Sequence, residues 1–315
     1  MTSPALSIVV ASFRRHEALE LCLEDLAAQR HSPPFEVVLV LQDYPRGAAN
    51  RLRDRFGPMI DLHVIEYAEA LGTARARNAG IALSRGDVVA FLDDDVRLPP
   101  SWASELMHVY EDPAVGGAGG LVDHPGRYTV PRRTLYRMLG ITSGRYRIDW
   151  GGFNVGPARH PQRDQPADWL SGGNMSFRRQ PLTAVGGFDE AIGDFWHEDV
   201  DVTHRVAMSG WKIISSARIA VDHFPSAVNR PPLHDQMRER ERSRVLFVWR
   251  AIGNEPLWKA RYLARLVLHT AAMAVIGLAK ADLRIPLNVI RGGLEGLRDL
   301  PRSRSAADER LPTGQ

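Results

Sequence analysis

Three consecutive carboxylates, Asp93, Asp94 and Asp95, directly follow the apolar run 88–92. A short apolar run rich in β-branched and aromatic residues predicts a buried strand. Because adjacent carboxylates repel one another and resist burial, we expect them at the exposed carboxyl end of that strand, where open α/β sheets bind ligands. Side chains alternate along an extended backbone, so Asp93 and Asp95 can point the same way. The pattern predicts a clamp for a hard divalent cation; an acidic turn without a ligand is the alternative.

Two other segments place polar or flexible residues where a ligand could bind. Arg77 falls near the start of a predicted helix over 74–84, where a cation opposes the helix dipole unless an anion such as a pyrophosphate lies nearby. A solvated arginine is the alternative. Gly172 and Gly173 interrupt a predicted strand over 169–179, which would let a ligand approach the backbone.

A predicted helix over 197–209 begins with acids. Glu198 and Asp201 share one face, Asp201 can pair with Arg205 four residues later, and Asp199 points elsewhere. Complementarity to the helix dipole alone would also select acids in the first turn, so a purely structural role is the alternative.

The elements that must position these residues alternate between strand and helix. Near-continuous apolar strands are predicted at 6–11, 35–41 and 62–65, with a helix over 16–29 and a short helix over 50–56 between them. This order indicates a parallel sheet flanked by helices. A further helix over 101–111 and strands over 115–122 and 211–221 extend the same pattern.

Composition and missing motifs exclude several classes. The chain has 315 residues, 44% hydrophobic residues and a net charge of +3, which is ordinary for a globular protein and gives no sign of nucleic-acid binding. Its single cysteine, Cys22, is predicted to lie in the core, so neither a disulfide framework nor a cysteine-based zinc site is expected. No Gly-x-Gly-x-x-Gly follows the first strand, which disfavours a nicotinamide or flavin enzyme. We also expect no signal peptide, because the apolar run 6–11 leads into a polar turn.

The last third of the chain has a different character. Residues 257–282 are amphipathic and helical, and the uncharged run 266–279 is flanked by Arg265 and Lys280. This run is shorter than the roughly 20 apolar residues that span a bilayer. Its basic flanks favour a helix lying in an anionic membrane interface; a helix packed on the catalytic domain or on a partner is the alternative. The tail from residue 301 is predicted to be disordered.

Taken together, the motifs resemble the family 2 glycosyltransferases with a GT-A fold. They occur in the family's order over roughly residues 5–225. The matching segments are SIVVASF, Ala76-Arg77-Asn78, the FLDDD of 91–95, GGNMSFRR, GGFDE, HEDVD with Arg205, and His223 after the last strand.

The resemblance implies a catalytic domain over 1–236, divided into a nucleotide-sugar half over 1–122 and an acceptor half over 123–236. Residues 237–300 would form a helical extension, followed by the tail over 301–315. The weakly patterned stretch from 123 to 168 is expected to be an insertion or lid beside the acceptor site.

The resemblance also implies the reaction: inverting transfer of a sugar from a nucleotide sugar to a hydroxyl group. Asp93, Asp95 and His223 would hold Mn²⁺ or Mg²⁺ on the donor diphosphate, and an imidazole beside two carboxylates favours Mn²⁺. Asp199 matches the base that takes the proton of the attacking hydroxyl group.

The remaining site residues implied by the resemblance divide between the two substrates. The expected acceptor-binding residues are Trp196 and Glu198, together with Gly173 and Asn174. The expected donor-binding residues are Ser12, Asp43, Arg77 and Asp94. Asp94 is expected either to meet the ribose or to hold its loop, and Asp43 is expected to contact the nucleotide base.

The leading hypothesis is thus a metal-dependent glycosyltransferase of cell-envelope polysaccharide synthesis. It would act in the cytoplasm, peripherally at the inner face of the plasma membrane, on a glycan or lipid-linked acceptor, and could form oligomers. A nucleotidyltransferase would need a glycine- and lysine-rich loop after the first strand, which the sequence SFRRHE lacks. A non-catalytic sugar-nucleotide-binding module would have lost acids such as Asp93, Asp95 and Asp199, which are all present.

Overall fold

The structure is a computed structural model that divides into two compact units. The first unit is built from segments within 1–147, 154–189 and 198–230, and the second from 148–153, 190–197 and the chain from 231 onward. The structure describes residues 4–123, 142–157, 162–192, 196–225, 231–252 and 255–300. Much of the predicted lid over 123–168 and the whole tail over 301–315 lie outside these residues.

A mostly parallel sheet of nine strands forms the centre of the first unit. The described strands are β1 Leu6–Phe13, β2 Phe35–Gln42, β3 Asp61–Tyr67, β4 Val88–Asp93, β5 Val96–Arg97, β6 Val115–Asp123, β7 Thr142–Ser143, β8 Arg147–Ile148, β9 Asn154–Pro157, β10 Gln165–Pro166, β11 Asn174–Arg178 and β12 Lys212–His223. The nine-stranded sheet has the order β10-β12-β6-β11-β4-β1-β2-β3, with β5 paired to β12, whereas β7, β9 and β8 form a separate three-stranded sheet.

Helices flank the sheet and build the second unit. In the first unit they are α1 His16–Ala27, α2 Ala48–Phe56, α3 Thr73–Leu83, α4 Trp102–Val109, α5 Arg179–Ala184 and α6 Glu198–Met208. In the second unit they are α7 Leu233–Phe247, which continues into a π-helical segment Val248–Ile252, α8 Pro256–Ala279 and α9 Arg284–Asp299. The predicted class, a mostly parallel α/β sheet flanked by helices, is confirmed.

The registers of the strands bring the chemically interesting loops together. Strand β1 pairs in parallel with β2 and β4, and Ala11 lies opposite Asp93. The loop that follows β1 therefore lies beside the three aspartates. Strand β12 runs antiparallel to β5 with His223 opposite Val96, which brings the histidine to the same place.

The strand predicted over 169–179 is shorter in the structure. A turn over 171–174, closed by the Asn174 N–H donating to the Ser171 carbonyl, precedes β11. At the other end the strand passes directly into α5 at Arg179. The two glycines belong to the turn, so their flexibility shapes a loop at the sheet edge rather than a break within a strand.

The helices of the second unit pack around an apolar cluster formed by Met237, Met273, Ile285 and Val289. α9 lies very close to α7, since a Cβ atom at Gly292 would come 2.0 Å from the Arg238 carbonyl oxygen. Glycines that lower helix propensity are thus required here for close packing of the two helices.

α8 is longer than the uncharged run within it. Its 24 residues are long and apolar enough to cross a membrane by length and composition, although the core helix of a soluble protein meets the same criterion. Only 22% of its most apolar window is buried within the structure, so most of that surface is not covered by the described residues.

The amino-terminal ends of β1 and β2 are joined by a buried carboxylate. Glu36 accepts hydrogen bonds from the Ser7 hydroxyl at 2.6 Å and from the Arg85 backbone and guanidinium at 2.5 and 2.7 Å. Burial opposes ionisation, but these hydrogen bonds prevail and lower the pKa of Glu36. A lowered folded-state pKa stabilises the protein above the unfolded-state value, and that contribution is lost as the pH falls through the folded-state pKa.

We expect Glu36→Gln to lower the free energy of unfolding at pH 7 by about 1–3 kcal/mol, because the amide donor would face the Arg85 donor. The difference from wild type should shrink as the pH falls below 4, as measured by urea denaturation across pH. Glu24→Gln, which removes an exposed partner of Arg55, is the matched control and should change stability by less than about 0.5 kcal/mol. Equal losses in both variants would contradict this role for Glu36.

Candidate active site

The three aspartates lie close together, but not for the predicted reason. Only Asp93 belongs to β4, whereas Asp94 and Asp95 form a turn before β5. Alternation along an extended strand therefore does not explain how Asp93 and Asp95 come together. The expectation that all three would be exposed was also wrong, since Asp94 and Asp95 are only 2% and 6% exposed. Their burial requires neighbouring groups that compensate the charge.

Asp93, Asp95 and His223 form a trio of possible metal ligands. One ligand atom from each lies within 4.8 Å of the others, and His223 Nε2 is 2.8 Å from Asp95 Oδ1. The backbone supports this contact, because the Phe224 N–H donates to the Asp95 carbonyl oxygen at 2.9 Å. The structure therefore brings together all three residues that the sequence predicts as metal ligands.

A second possible trio, Glu36, Asp61 and His63, lies elsewhere in the first unit. Arg85 bridges it, with its guanidinium 2.7 Å from Glu36, 2.8 Å from Asp61 and 2.9 Å from His63 Nε2. A guanidinium among all three members already supplies the positive charge that a cation would bring. The trio around Asp95 is thus the better candidate for a metal site.

Asp94 is held in a buried network by residues of the loop after β1. It accepts a hydrogen bond from the Ser12 hydroxyl at 2.5 Å and from Arg15 Nη1 at 2.9 Å. The Tyr44 hydroxyl lies 2.5 Å from Ser12 Oγ and accepts from the Arg15 backbone N–H. Burial raises the pKa of Asp94 to about 6 in spite of Arg15. Of the two roles expected for Asp94, this geometry favours holding the loop.

Arg15 is the residue of this network that the sequence reasoning missed. Its guanidinium lies 2.9 Å from Asp94 and 3.2 Å from Asp95, so one cation compensates two buried carboxylates. A signal was available in the sequence. The segment SFRR stands at the carboxyl end of β1 and FLDDD at the carboxyl end of β4, and the carboxyl ends of parallel strands lie at the same edge of a sheet.

Arg77 occupies the centre of the site. Although it is 5% exposed, it donates from Nη1 to Glu198 at 2.7 Å and from Nη2 to the Gly172 carbonyl oxygen at 3.0 Å. Asp93 lies 3.5 Å from Nη2, and the guanidinium stacks over the Phe188 ring at 5.5 Å. Arg77 therefore links α3, the turn before β11 and the first residue of α6. Its predicted contact with the donor stays a prediction.

The two acids at the start of α6 differ in their surroundings. Glu198 is 4% exposed, and its Oε2 has no hydrogen-bond partner among the described residues. Asp199 accepts from the Gly172 N–H at 2.8 Å and is less buried. Burial raises the pKa of both carboxyl groups, and the neighbouring Asp199 adds to the effect on Glu198. Arg77 opposes the shift at both positions.

Gly172 and Gly173 leave room at the centre of this arrangement. A Cβ atom at Gly172 would meet the Arg77 guanidinium at 2.8 Å, and one at Gly173 would meet Asp93 Oδ2 at 2.8 Å. The absence of side chains at both positions is what allows the arginine and the aspartate to approach this turn. Whether Gly173 also contacts the acceptor stays a prediction.

Asn174 has a different environment from the one expected for an acceptor-binding residue. Its side chain is buried, accepts a hydrogen bond from Trp102 Nε1 at 3.1 Å and donates to the Ile219 carbonyl oxygen at 2.5 Å. Both polar atoms are engaged in joining β11 to α4 and β12. This geometry gives the predicted acceptor contact no support.

Two further predicted residues have other contacts. Asp43, at the end of β2, has a left-handed backbone (φ 52°) and accepts from Arg14 Nε at 2.7 Å. Its side chain is 36% exposed and could reach a ligand. Trp196 belongs to the second unit, where Arg240 lies 5.1 Å from its ring centroid.

His197 immediately precedes the two acids and has an unusual conformation. Its φ of 71° is rare for a residue with a side chain, and its ring is buried and stacks on Phe247 at 6.2 Å within the second unit. Neither ring nitrogen has a hydrogen-bond partner among the described residues. Burial and the nearby Arg244 lower the pKa of His197, so the ring is neutral. No sequence pattern predicted this residue.

Comparison with known proteins decides the family. The family model for glycosyl transferase family 2 matches residues 7–186, which include Arg77 and the three aspartates. The chain belongs to glycosyl transferase family 2. This agrees with the resemblance drawn from the sequence motifs, and it favours neither the nucleotidyltransferase nor the binding-module alternative.

Among curated relatives, the glucosyl-dolichyl phosphate glucuronosyltransferase of Haloferax volcanii is 29% identical over 194 residues, which are 60% of this chain and 57% of that protein. The chondroitin synthase of Pasteurella multocida is 25% identical over 65% of this chain but only 23% of its own length. The match thus spans little more than half of the first relative and a smaller part of the second.

Solved structures share the GT-A fold at low identity. The mannosyltransferase PcManGT from Pyrobaculum calidifontis, in complex with GDP-Man and Mn²⁺, has a TM-score of 0.63 at 19% identity and covers 95% of this chain and 88% of its own. TarS 1–349 from S. aureus, in complex with UDP-GlcNAc, has a TM-score of 0.64 at 15% identity and covers 94% and 81%.

Removal of Arg77 should reveal how strongly the site depends on it. We expect Arg77→Met to lower the free energy of unfolding by about 3–5 kcal/mol, because the Glu198 carboxylate would be buried without a partner. Adding Glu198→Gln to this variant should recover part of the loss, as measured by a double-mutant cycle in urea. Arg75→Met on the same helix, where the side chain is exposed, is the control. A cycle without coupling would contradict the buried ion pair.

Proposed function

We propose that this glycosyltransferase moves a sugar, with inversion, from a nucleotide-sugar donor to a hydroxyl group of a glycan or lipid-linked acceptor in cell-envelope polysaccharide synthesis. The observation that carries the proposal is that Asp93, which belongs to the Asp93–Asp95–His223 trio, and Asp199 both lie against the glycine turn before β11. The acidic trio suits a cation on the donor diphosphate, and Asp199 suits a base for the acceptor.

The donor set fits a divalent metal ion. Two carboxylates and an imidazole favour Mn²⁺ over Mg²⁺, and Gly173 leaves Asp93 Oδ2 unobstructed. When bound, such an ion would act as a Lewis acid that offsets the charge on the departing nucleotide diphosphate. Arg15 lies 3.2 Å from Asp95 and Arg77 lies 3.5 Å from Asp93, so each of these carboxylates has a cation beside it.

Asp199 is the proposed base. The Gly172 N–H fixes one carboxylate oxygen at 2.8 Å and so orients the group. Burial raises the pKa of Asp199 towards the range in which a carboxylate accepts a proton more readily. The acceptor hydroxyl group would attack the sugar carbon on the face opposite the diphosphate, its proton passing to Asp199 while the bond to the diphosphate oxygen breaks.

The other predicted contacts follow from this placement. Asp43 would meet the nucleotide base, while Ser12 and Asp94 hold the loop on which the donor lies. Arg77 would act near the donor phosphates through its position between Asp93 and Glu198. Glu198, Trp196 and Gly173 are proposed for the acceptor side.

The proposed location is the cytoplasmic face of the plasma membrane, with peripheral contact through residues 257–282. The apolar surface of α8 supports it, and so does the relative from Haloferax volcanii, whose name includes a dolichyl phosphate. The role in envelope polysaccharide synthesis is supported by the O-antigen biosynthesis protein of Myxococcus xanthus, which is 25% identical over 72% of this chain.

Metal binding can be measured without turnover. We expect Asp95→Asn to weaken Mn²⁺ binding at least tenfold, because one charged ligand of the trio is lost, as followed by electron paramagnetic resonance of free Mn²⁺. Asp61→Asn makes the same change in the trio that Arg85 bridges and should leave the affinity unchanged. Loss of binding in Asp61→Asn alone would assign the ion to the other trio.

Transfer is tested by a donor-hydrolysis screen across nucleotide sugars with Mn²⁺. Wild type should turn over the donor that the screen identifies. Asp199→Asn should bind this donor but turn it over at least about 100-fold more slowly, because that variant lacks the base. Asp54→Asn, an exposed residue of α2, is the control. Unchanged turnover in Asp199→Asn would rule out the base, and full activity in excess chelator would rule out the metal.

A further inference from the structure

Exposed apolar side chains are concentrated at the end of the chain. Of the seventeen large hydrophobic residues that are exposed in the described part of the protein, eleven lie between Leu257 and Leu297. Isolated exposed hydrophobic residues need no explanation, but a continuous set marks an interaction surface.

On α8 these residues form a stripe along the whole helix. At 1.5 Å per residue, the stripe from Leu257 to Leu278 is about 32 Å long. It is continuous because exposed Ala260, Ala264 and Ala271 fill the gaps between the large members, so that an exposed apolar residue recurs every three or four positions. The exposed large members are Leu257, Leu263, Val267, Leu268, Val275 and Leu278.

α9 is apolar on two faces. Its inner face, with Ile285, Val289 and Gly292, is buried against the other helices of the second unit. A second apolar stripe is exposed and repeats with spacings of four and three residues, which places its members on one face. The members of this stripe are Leu283, Leu287, Ile290, Leu294 and Leu297.

A row of arginines borders the α9 stripe. Arg284, Arg291 and Arg298 are exposed and spaced seven residues apart, so they lie along one line of the helix next to the leucines. Arg284 pairs with Asp282, whereas Arg291 and Arg298 form no ion pair with any residue that the structure describes.

The acids of α8, α9 and the turn between them are paired within the protein. Between residues 256 and 300 there are seven lysines and arginines but only three acids. Asp282 pairs with His234, and Glu295 and Asp299 pair with Arg238 and Arg242 of α7. Apart from Glu255, which directly precedes α8, the exposed charge that remains beside the two stripes is therefore positive.

We propose that α8 and α9 together bind the surface of an anionic phospholipid bilayer, both lying in the interface. The leucine stripes would enter the acyl boundary, and Arg291 and Arg298 would meet lipid phosphates. The inference deepens the proposed membrane contact, on which it rests, by adding α9 and its arginine row.

Two other occupants are less favoured by the same observations. A second copy packed on this face would bring the unpaired arginines of the two chains into one interface, where like charges repel. A membrane-spanning α8 would take Tyr262 into the bilayer, although its hydroxyl donates to buried Glu241 at 2.6 Å and Glu241 pairs with Arg244. An ion pair at that depth is costly.

The test is flotation of the full-length protein with vesicles of phosphatidylcholine alone or mixed with phosphatidylglycerol. We expect binding to the anionic vesicles only, reversed by high salt. Arg291→Gln with Arg298→Gln should weaken binding about thirtyfold, since each basic residue near an anionic surface contributes about 1 kcal/mol. Leu287→Asp with Leu294→Asp should abolish it.

Matched controls use exposed residues outside the two stripes. The control for the arginine pair is the double variant Arg30→Gln with Arg163→Gln, and the control for the leucine pair is Met59→Asp with Met208→Asp. Both should bind the vesicles as wild type does. Asp199→Asn should also float normally, so that failure of the catalytic proposal leaves this one testable. Circular dichroism melting of each variant separates loss of binding from loss of folding.

Three outcomes would overturn the proposal. Equal binding to neutral and anionic vesicles would remove the role of the arginines. Retention on the vesicles after a carbonate wash would indicate a spanning helix. The third outcome combines two observations: wild type does not bind lipid, and light scattering shows a dimer that the double variant Leu287→Asp with Leu294→Asp dissociates. This result would assign the surface to a second copy of the chain.

Discussion

The site depends on one buried guanidinium. Arg77 donates to Glu198 and to the Gly172 carbonyl oxygen, and it lies 3.5 Å from the partly exposed Asp93. Removing a partner from a buried ion pair costs far more than the pair itself contributes, so the buried Glu198 carboxylate depends on this arginine. The turn that binds Asp199 contacts the same guanidinium through Gly172.

Arg15 meets the same requirement from the opposite side. It compensates Asp94 and Asp95, while Arg77 compensates Asp93 and Glu198, so that each cation serves a pair of acids. The negative charge of the proposed metal site is thereby balanced by fixed positive charge. Arg15 lies in the loop after β1 and Arg77 lies on α3, and the parallel pairing of β1 with β4 brings the Arg15 loop beside Asp94 and Asp95.

The sequence predicted the fold because apolar strands that alternate with helices are a local pattern. The acids after β4 could also be read locally, but His223 joined them only through the family resemblance. Long-range contacts were not visible in the sequence. Asn174 carries a family motif, yet the partners of its side chain, Trp102 and Ile219, are distant in sequence. Arg15 and the burial of Asp94 were missed for the same reason, since charge compensation depends on which loops meet. The arginine row of α9 could be read from spacing alone, but its exposure could not.

Gly172 links the Asp199 carboxylate and the Arg77 guanidinium through its two adjacent peptide groups. Its N–H donates to Asp199 and its carbonyl oxygen accepts from Arg77, so the backbone dihedral angles of this one residue relate the two contacts. A glycine, which can rotate freely, is here held by a partner on each side. A change in this turn would therefore act on the Asp199 contact and on the Arg77 contact together.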